Sequence, residues 1–200
     1  NLVVSDGSVN SEPDTVMITV VDTTPPAITA PGNVSVEQTG SSGTPVTLGI
    51  PTVSDICDTN PVVTNDTPTL FPQGITTVTW TATDTSGNSN TATQTVTVTD
   101  TTPPEIIAPD DVSVEQTGPS GTPVTLGAPT VSDIADTNPV VTNDAPALFP
   151  QGATTVTWTA TDASGNSNTA TQTVTVTDTT PPEITAPDNV SVEQTSASGT

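Results

Sequence analysis

Thr77-Val-Thr-Trp-Thr-Ala-Thr83 and Thr95-Val-Thr-Val-Thr99 alternate threonine with an apolar residue without a break. Successive side chains of a strand point to opposite faces, so Val78, Trp80 and Ala82 share one face and the threonines the other, the pattern of a half-buried antiparallel strand. Working outward, Asn33–Gln38, Pro45–Ile50 and Pro61–Asn65 are shorter strand candidates. Pro25-Pro26, Pro31, Gly40, Gly43, Pro51, Pro72, Gly74 and Gly87 fall in the gaps, where turns are expected. No segment has helical periodicity. Short strands at regular spacing with turn signals between them predict an all-β antiparallel sandwich.

The chain repeats itself. Residues Thr23–Asp100 and Thr101–Asp178 align over 78 residues without a gap and differ at 11 positions. The 200 residues therefore divide into the end of an upstream module (1–22), two full modules (23–100 and 101–178) and the start of another (179–200), whose TTPPEITAPDNVSVEQT matches the opening of each full repeat. The expected array continues past both ends. A period of this length exceeds a solenoid coil and fits a string of small domains. The Pro-Pro of each linker restricts backbone rotation, which predicts an extended, semi-rigid rod.

Charge narrows the function. There is no Lys, Arg or His, and 22 Asp and Glu leave a formal charge of −22. No internal salt bridge can form, so solvent ions, bound metal or a basic partner must balance the carboxylates. Nucleic acid and anionic membrane surfaces are not expected partners. No apolar run approaches the roughly 20 residues of a membrane span, and no signal peptide opens the sequence. Cys57 has Ala135 as its counterpart, so no disulfide is expected within the chain; the thiol reads as a small half-buried apolar filler, set against a reactive or intermolecular thiol. Without His or Lys no nucleophilic triad can be built, and the close pairs Asp55/Asp58 and Asp133/Asp136 suit a metal loop better than acid–base catalysis. The chain is not expected to be an enzyme. A module this small usually needs a disulfide or a metal as a staple, and only metal is left.

The order DTTPPEITAP, VSDICDTNPVV, FPQGITTVTWTATDTSGNSN and TVTVTD resembles the hyalin repeat (HYR), an immunoglobulin-like β-sandwich module of cell-surface and extracellular proteins. The resemblance covers both full repeats and the final fragment. It implies a cysteine pair where this chain has Ala30 and Ala92, and Ala108 and Ala170. That departure leans the reading toward a bacterial or archaeal surface protein. The opening LVVSDGSVNSEPDTVMITVVD resembles instead the last hairpin of a polycystic-kidney-disease-like or related β-sandwich domain.

In a sandwich of this topology the linker and two loops meet at one pole. That places Asp100 near Asp133, Asp136 and Asn138 of one loop and Asp162, Ser164 and Asn166 of another; the first module repeats the set with Asp22, then Asp55, Asp58 and Asn60, then Asp84, Ser86 and Asn88. Oxygen ligands without imidazole or paired thiols select calcium or magnesium. The plan is similar to that of cadherins and of the immunoglobulin-like repeats of large bacterial adhesins, which use junction calcium, although neither cadherin's ligand signature nor an EF-hand loop is present. Asp-x-Ser-Gly-Asn is equally a good hairpin turn on its own, and Asp22 and Asp100 suit backbone capping beside the prolines. Both readings stand at this point. The Asp100 linker adds Glu105, Asp110 and Asp111 where the preceding one has Ala27, Gly32 and Asn33, so it is expected to depend more on calcium.

Asn33-Val-Ser, Asn65-Asp-Thr and Asn189-Val-Ser satisfy the N-glycosylation pattern, and the second repeat has lost both equivalents, at Asp111 and Ala145. The outward threonines are also candidate O-glycan carriers. The expected function is a structural or adhesive extracellular protein, a stalk, fibre or surface filament, with neighbouring subunits as partners, including by strand exchange, and a cell-surface or glycan partner besides. The alternative is a glycan- or ligand-binding accessory module of a larger secreted protein. Trp80 and Trp158 fall on the inward strand face, which suits a core better than a sugar platform.

Overall fold

The computed structural model describes residues 3–10, 12, 14–195 and 197. They form two compact units, one running to Glu105 with Ser132–Val140 and Thr161–Ser167 added, the other comprising Ile106–Val131, Val141–Ala160 and the residues from Asn168 on. The described residues are all-β.

The first repeat contains β1 (Ala27–Thr29), β2 (Val34–Glu37), β3 (Thr52–Ser54), β4 (Val62–Asn65), β5 (Gly74–Thr83) and β6 (Ser89–Thr99). β5 and β6 are long because threonine alternates with inward-facing residues along most of their length, and they pair antiparallel from Gly74↔Val98 to Thr83↔Ser89. β2 joins β6 in parallel, Val34 opposite Val96, and β4 joins β5 antiparallel, giving the sheet order β2-β6-β5-β4. β1 and β3 form a second, two-stranded sheet. Between the sheets, Phe71, Val78, Trp80, Val96 and Val98 are buried, with Ile28, Ala30, Val34, Val36, Val46 and Leu48 packed against them. Burying one such large side chain is worth about 1.5–3 kcal/mol, so this face dominates the module's stability.

The second repeat has the same plan: β7 (Glu105–Ile107), β8 (Val112–Glu115), β9 (Thr130–Ser132), β10 (Val140–Asn143), β11 (Gly152–Thr161) and β12 (Ser167–Thr177), in sheets ordered β10-β11-β12-β8 and β7-β9. Its core is Ile106, Phe149, Val156, Trp158, Ala160, Val174 and Val176. Ala108 and Ala170, two of the positions at which the resemblance implied cysteine, pack against that core.

Three details depart from the sequence expectations. Pro45–Ile50 is not a strand: the nearest backbone pairing is the bridge of Thr44, just before it, to Phe71, while Val46 and Leu48 still pack inward. The approach is tight, since Gly43 has φ +121° and a Cβ there would lie 2.9 Å from the Phe71 carbonyl oxygen. Cys57 is exposed rather than half-buried, in the loop between β3 and β4, where its N–H donates to Asp55 Oδ1. In residues 1–22, expected to be a hairpin, Ser5 bridges Asn10 and Asp14 is also a bridge residue, with no ladder among the described residues; residues 1, 2, 11 and 13 of that segment, and 196 and 198–200 of the last, lie outside the described residues.

Gln94 and Gln172 interrupt the apolar face of β6 and β12. Gln94 is fully buried; its Oε1 accepts from Trp80 Nε1 at 3.2 Å and its Nε2 donates to the Gly32 carbonyl at 2.7 Å. Gln172 does the same for Trp158 and Asp110. A buried indole N–H needs an acceptor, and that requirement is the signal that could have found them.

Candidate metal centre

The β5–β6 turn is built by Asp84, Gly87 and Asn88. Asp84 N–H donates to the Asn88 carbonyl at 3.0 Å, Gly87 N–H to the Asp84 carbonyl at 3.2 Å, and Gly87 takes φ +91°, which a side chain would resist. Asp84 is buried. Desolvation pushes its carboxyl up, but hydrogen bonds from the Asn88 amide and backbone, and from the Ser86 and Gly87 backbone, outweigh that and hold it below the ordinary carboxylate range. Asp162 follows the same logic with Asn166, Ser164 and Gly165.

The 55–60 loop is likewise a chain of Asx turns. Asp55 Oδ1 accepts from Cys57 and Asp58 N–H, both at 2.8 Å, and Asp58 Oδ1 from Asn60 N–H. Asp58 Oδ2 then accepts from Thr85 N–H at 3.0 Å and so ties this loop to the β5–β6 turn. Asp133 and Asp136 repeat these contacts with Ala135, Asn138 and Ala163. The turn chemistry expected of these motifs is therefore present.

The linker comes to the same place. Asn88 Nδ2 donates to the Asp22 carbonyl, and Asn166 Nδ2 to the Asp100 carbonyl, each at 3.2 Å. Asp100 is buried, and its Oδ2 accepts from Ser164 Oγ at 2.8 Å, while Ser164 Oγ accepts from Gln73 Nε2 at 2.7 Å. All of these residues belong to the first compact unit.

Carboxylate oxygens of Asp100, Asp133 and Asp162 lie within 4.8 Å of one another. An ion holding ligands at about 2.4 Å can span oxygens up to roughly twice that distance, so the spacing is compatible with a hard divalent cation. The corresponding set in the first repeat differs: Asp22 and Asp55 gather with Cys57 Sγ, and Asp84 is not among them. A thiol is a poor partner for calcium. It is also held protonated, because desolvation and the neighbouring Asp22 and Asp55 charges push the Cys57 thiol above its ordinary value. Asp58, Asp136, Asn88 and Asn166 stand beside these triads, with both Asp58 oxygens and both asparagine amides occupied by turn hydrogen bonds. Of the extra acids after Asp100, Glu105 shares a shallow cleft with Ser132 and Asp133. Asp111 does not join the cluster, since its Oδ1 accepts from Thr173 N–H at 2.7 Å on β12.

The HYR domain family matches residues 21–98 and 99–176. Hyalin of Strongylocentrotus purpuratus is 36% identical over 88% of the chain, and hyalin of Lytechinus variegatus 38% identical over 86%. A sushi, von Willebrand factor type A, EGF and pentraxin domain-containing protein of Rattus norvegicus is 33% identical over 74%. The chain spans 16%, 35% and 4% of these relatives' lengths. They lend no support to a bacterial or archaeal source. Among solved structures, the protocadherin GammaB4 extracellular domain overlaps 76% of this chain and 32% of its own at 15% identity and a TM-score of 0.33, too distant for any functional comparison. No helix among the described residues is long and apolar enough to cross a membrane.

Proposed function

The chain belongs to the HYR domain family, and from that premise we propose that it is an extracellular structural or adhesive repeat protein whose modules act in series as a semi-rigid stalk or fibre, with a linker stiffened by calcium. The observation that supports this reading is the tethering of Asp100–Thr102. Ser164 and Asn166 bond Asp100, while Glu37 at the end of β2 accepts from Thr101 N–H at 2.6 Å and from the Thr101 and Thr102 hydroxyls at 3.0 Å each. Pro104, just beyond, is fully buried. A linker bonded at consecutive residues has little freedom to swing, which is what a stalk requires. Calcium held by Asp100, Asp133 and Asp162 would offset the like charge gathered there. Further copies, or neighbouring components of the same surface, are the expected partners. Trp80 and Trp158 are each 7% exposed and so provide no aromatic platform for a sugar.

Thermal melts with calcium and with a chelator, paired with small-angle scattering, test the reading. A higher melting temperature with calcium and a maximum dimension close to two modules end to end are expected. An unmoved melt would remove the metal, and a dimension near that of one module would remove the stalk.

A further inference from the structure

We propose that Asn33 and Asn65 are N-glycan acceptors, and that their glycans shield both open edges of the first repeat's four-stranded sheet while leaving the second repeat bare. The inference rests on the extracellular reading for access to an oligosaccharide transferase, and on nothing in the calcium argument.

Both asparagines stand on outer strands. The sheet order is β2-β6-β5-β4; Asn33 immediately precedes β2 and Asn65 is the last residue of β4, and both are exposed. Each uses only its amide oxygen in the fold. Asn33 Oδ1 accepts from Thr95 N–H at 3.0 Å, and Asn65 Oδ1 from Thr67 N–H at 3.1 Å. A backbone N–H can only donate, so the accepting atom must be oxygen and the nitrogen is the atom left without a bond. Other asparagines of the module contrast with this: Nδ2 of Asn88 donates to Asp84 and Asp22, and Nδ2 of Asn90 to Pro26.

The second repeat separates structure from modification at each site. Asp111 replaces Asn33 and still accepts from Thr173 N–H, at 2.7 Å, so the fold needs the oxygen and not the amide nitrogen. At the other site Asn143 keeps the turn, accepting from Ala145 N–H at 3.1 Å, and only the hydroxyl of the sequon is gone. In the first repeat that hydroxyl, Thr67 Oγ1, is buried with no hydrogen-bond partner, whereas Ala145 packs against the second core. The Thr67 hydroxyl thus has an unfavourable place in the folded module. A transferase would meet it before folding, in the extended segment Asn65-Asp-Thr-Pro68.

In the reaction, Asn Nδ2 loses a proton and forms a bond to the anomeric carbon of an oligosaccharide carried on a polyprenyl diphosphate. The bond from that carbon to the diphosphate oxygen breaks, the lipid diphosphate leaves with the electron pair, and the enzyme's base takes the proton. The product places a bulky solvated group beside each unpaired strand edge, where another chain would otherwise add.

The test is secretion of the full chain from cells that N-glycosylate. Trypsin has no site in a chain without Lys or Arg, so the protein is cut at aspartate after peptide-N-glycosidase treatment in heavy-oxygen water, which marks each former glycan site. Label at both Asn33 and Asn65 is expected, with N33D and T67A each removing one glycan step on a gel; these variants copy the second repeat and keep the fold. Chain recovered from the medium without label at these two positions, or with label at Asn189 alone, would overturn the proposal and leave the stalk reading intact. Label at only one of the two would overturn the shielding of both edges.

Discussion

Ser164 Oγ donates to Asp100 Oδ2 at 2.8 Å, and no equivalent bond joins Ser86 to Asp22, whose Oδ1 accepts from Thr24 N–H instead. The two repeats differ in this corner at Cys57/Ala135 and Thr85/Ala163. Where the thiol is present, Asp22 gathers with it; where alanine stands, the linker aspartate gathers with two further carboxylates. Near-identical modules therefore gather different side chains at this corner, a thiol with two carboxylates in one and three carboxylates in the other.

Asp133→Asn should abolish most of the calcium-dependent rise in melting temperature. Asn keeps an oxygen for the Ala135 and Asp136 N–H groups, so the loop survives while a ligand charge is lost. At calcium a hundredfold above its dissociation constant the lost stabilisation is about 2.7 kcal/mol. Asp55→Asn, in the thiol-containing set, should leave the calcium response unchanged. Calorimetry with and without calcium decides between them.

Gln94→Ala should destabilise the first repeat by about 2–4 kcal/mol, because it leaves the Trp80 N–H and the Gly32 carbonyl without their partner and opens a cavity. Urea denaturation followed by Trp80 fluorescence, in a Trp158→Phe background, reads it.

Thr67→Ala should stabilise the unglycosylated chain by about 1–3 kcal/mol, the scale of relieving a buried hydroxyl without a partner. The measurement is the denaturation midpoint of protein made without glycosylation. A loss of stability would show that the hydroxyl has a favourable role in the fold.

Glu115 provides a pH handle. Its carboxylate accepts from Thr179 N–H at 2.6 Å and from the hydroxyls of Thr179 and Thr180, and these bonds, the Thr179 N–H first, hold its pKa below the ordinary 4.5. A depressed folded pKa means the clamp's contribution is present above about 4.5 and is lost as pH falls through the lower folded value. The Thr179 amide resonance should follow that titration, and Glu115→Gln should remove it.

Cys57 should react slowly with thiol-alkylating reagents near neutral pH despite its exposure, because desolvation and the Asp22 and Asp55 charges disfavour the thiolate. Asp55→Asn should quicken the reaction severalfold, read by mass spectrometry of the alkylated chain over time.

Much of the fold was legible in advance because a strand writes its two faces into alternate residues. Val78, Trp80, Ala82, Val96 and Val98 are buried as their alternation requires, and Gly87 adopts the left-handed turn that Ser-Gly-Asn implies. The Pro45–Ile50 expectation failed for a related reason. Alternation reports which side chains face the core, as Val46 and Leu48 do, but it does not report whether the backbone has a neighbour to pair with. Gln94 was missed because a polar residue inside an alternating run looks like a defect until the indole it satisfies is in view.

The sequence by itself determined the repeat, the β-sandwich, the inward tryptophans and the absence of any protein cation, since these depend on residue identity and local period alone. Only the tertiary structure decided which carboxylates meet. Asp100, Asp133 and Asp162 come together, while Asp22 and Asp55 meet a thiol and Asp111 bonds β12. Those choices turn on side-chain directions across segments more than 25 residues apart, a distance over which no local periodicity carries information.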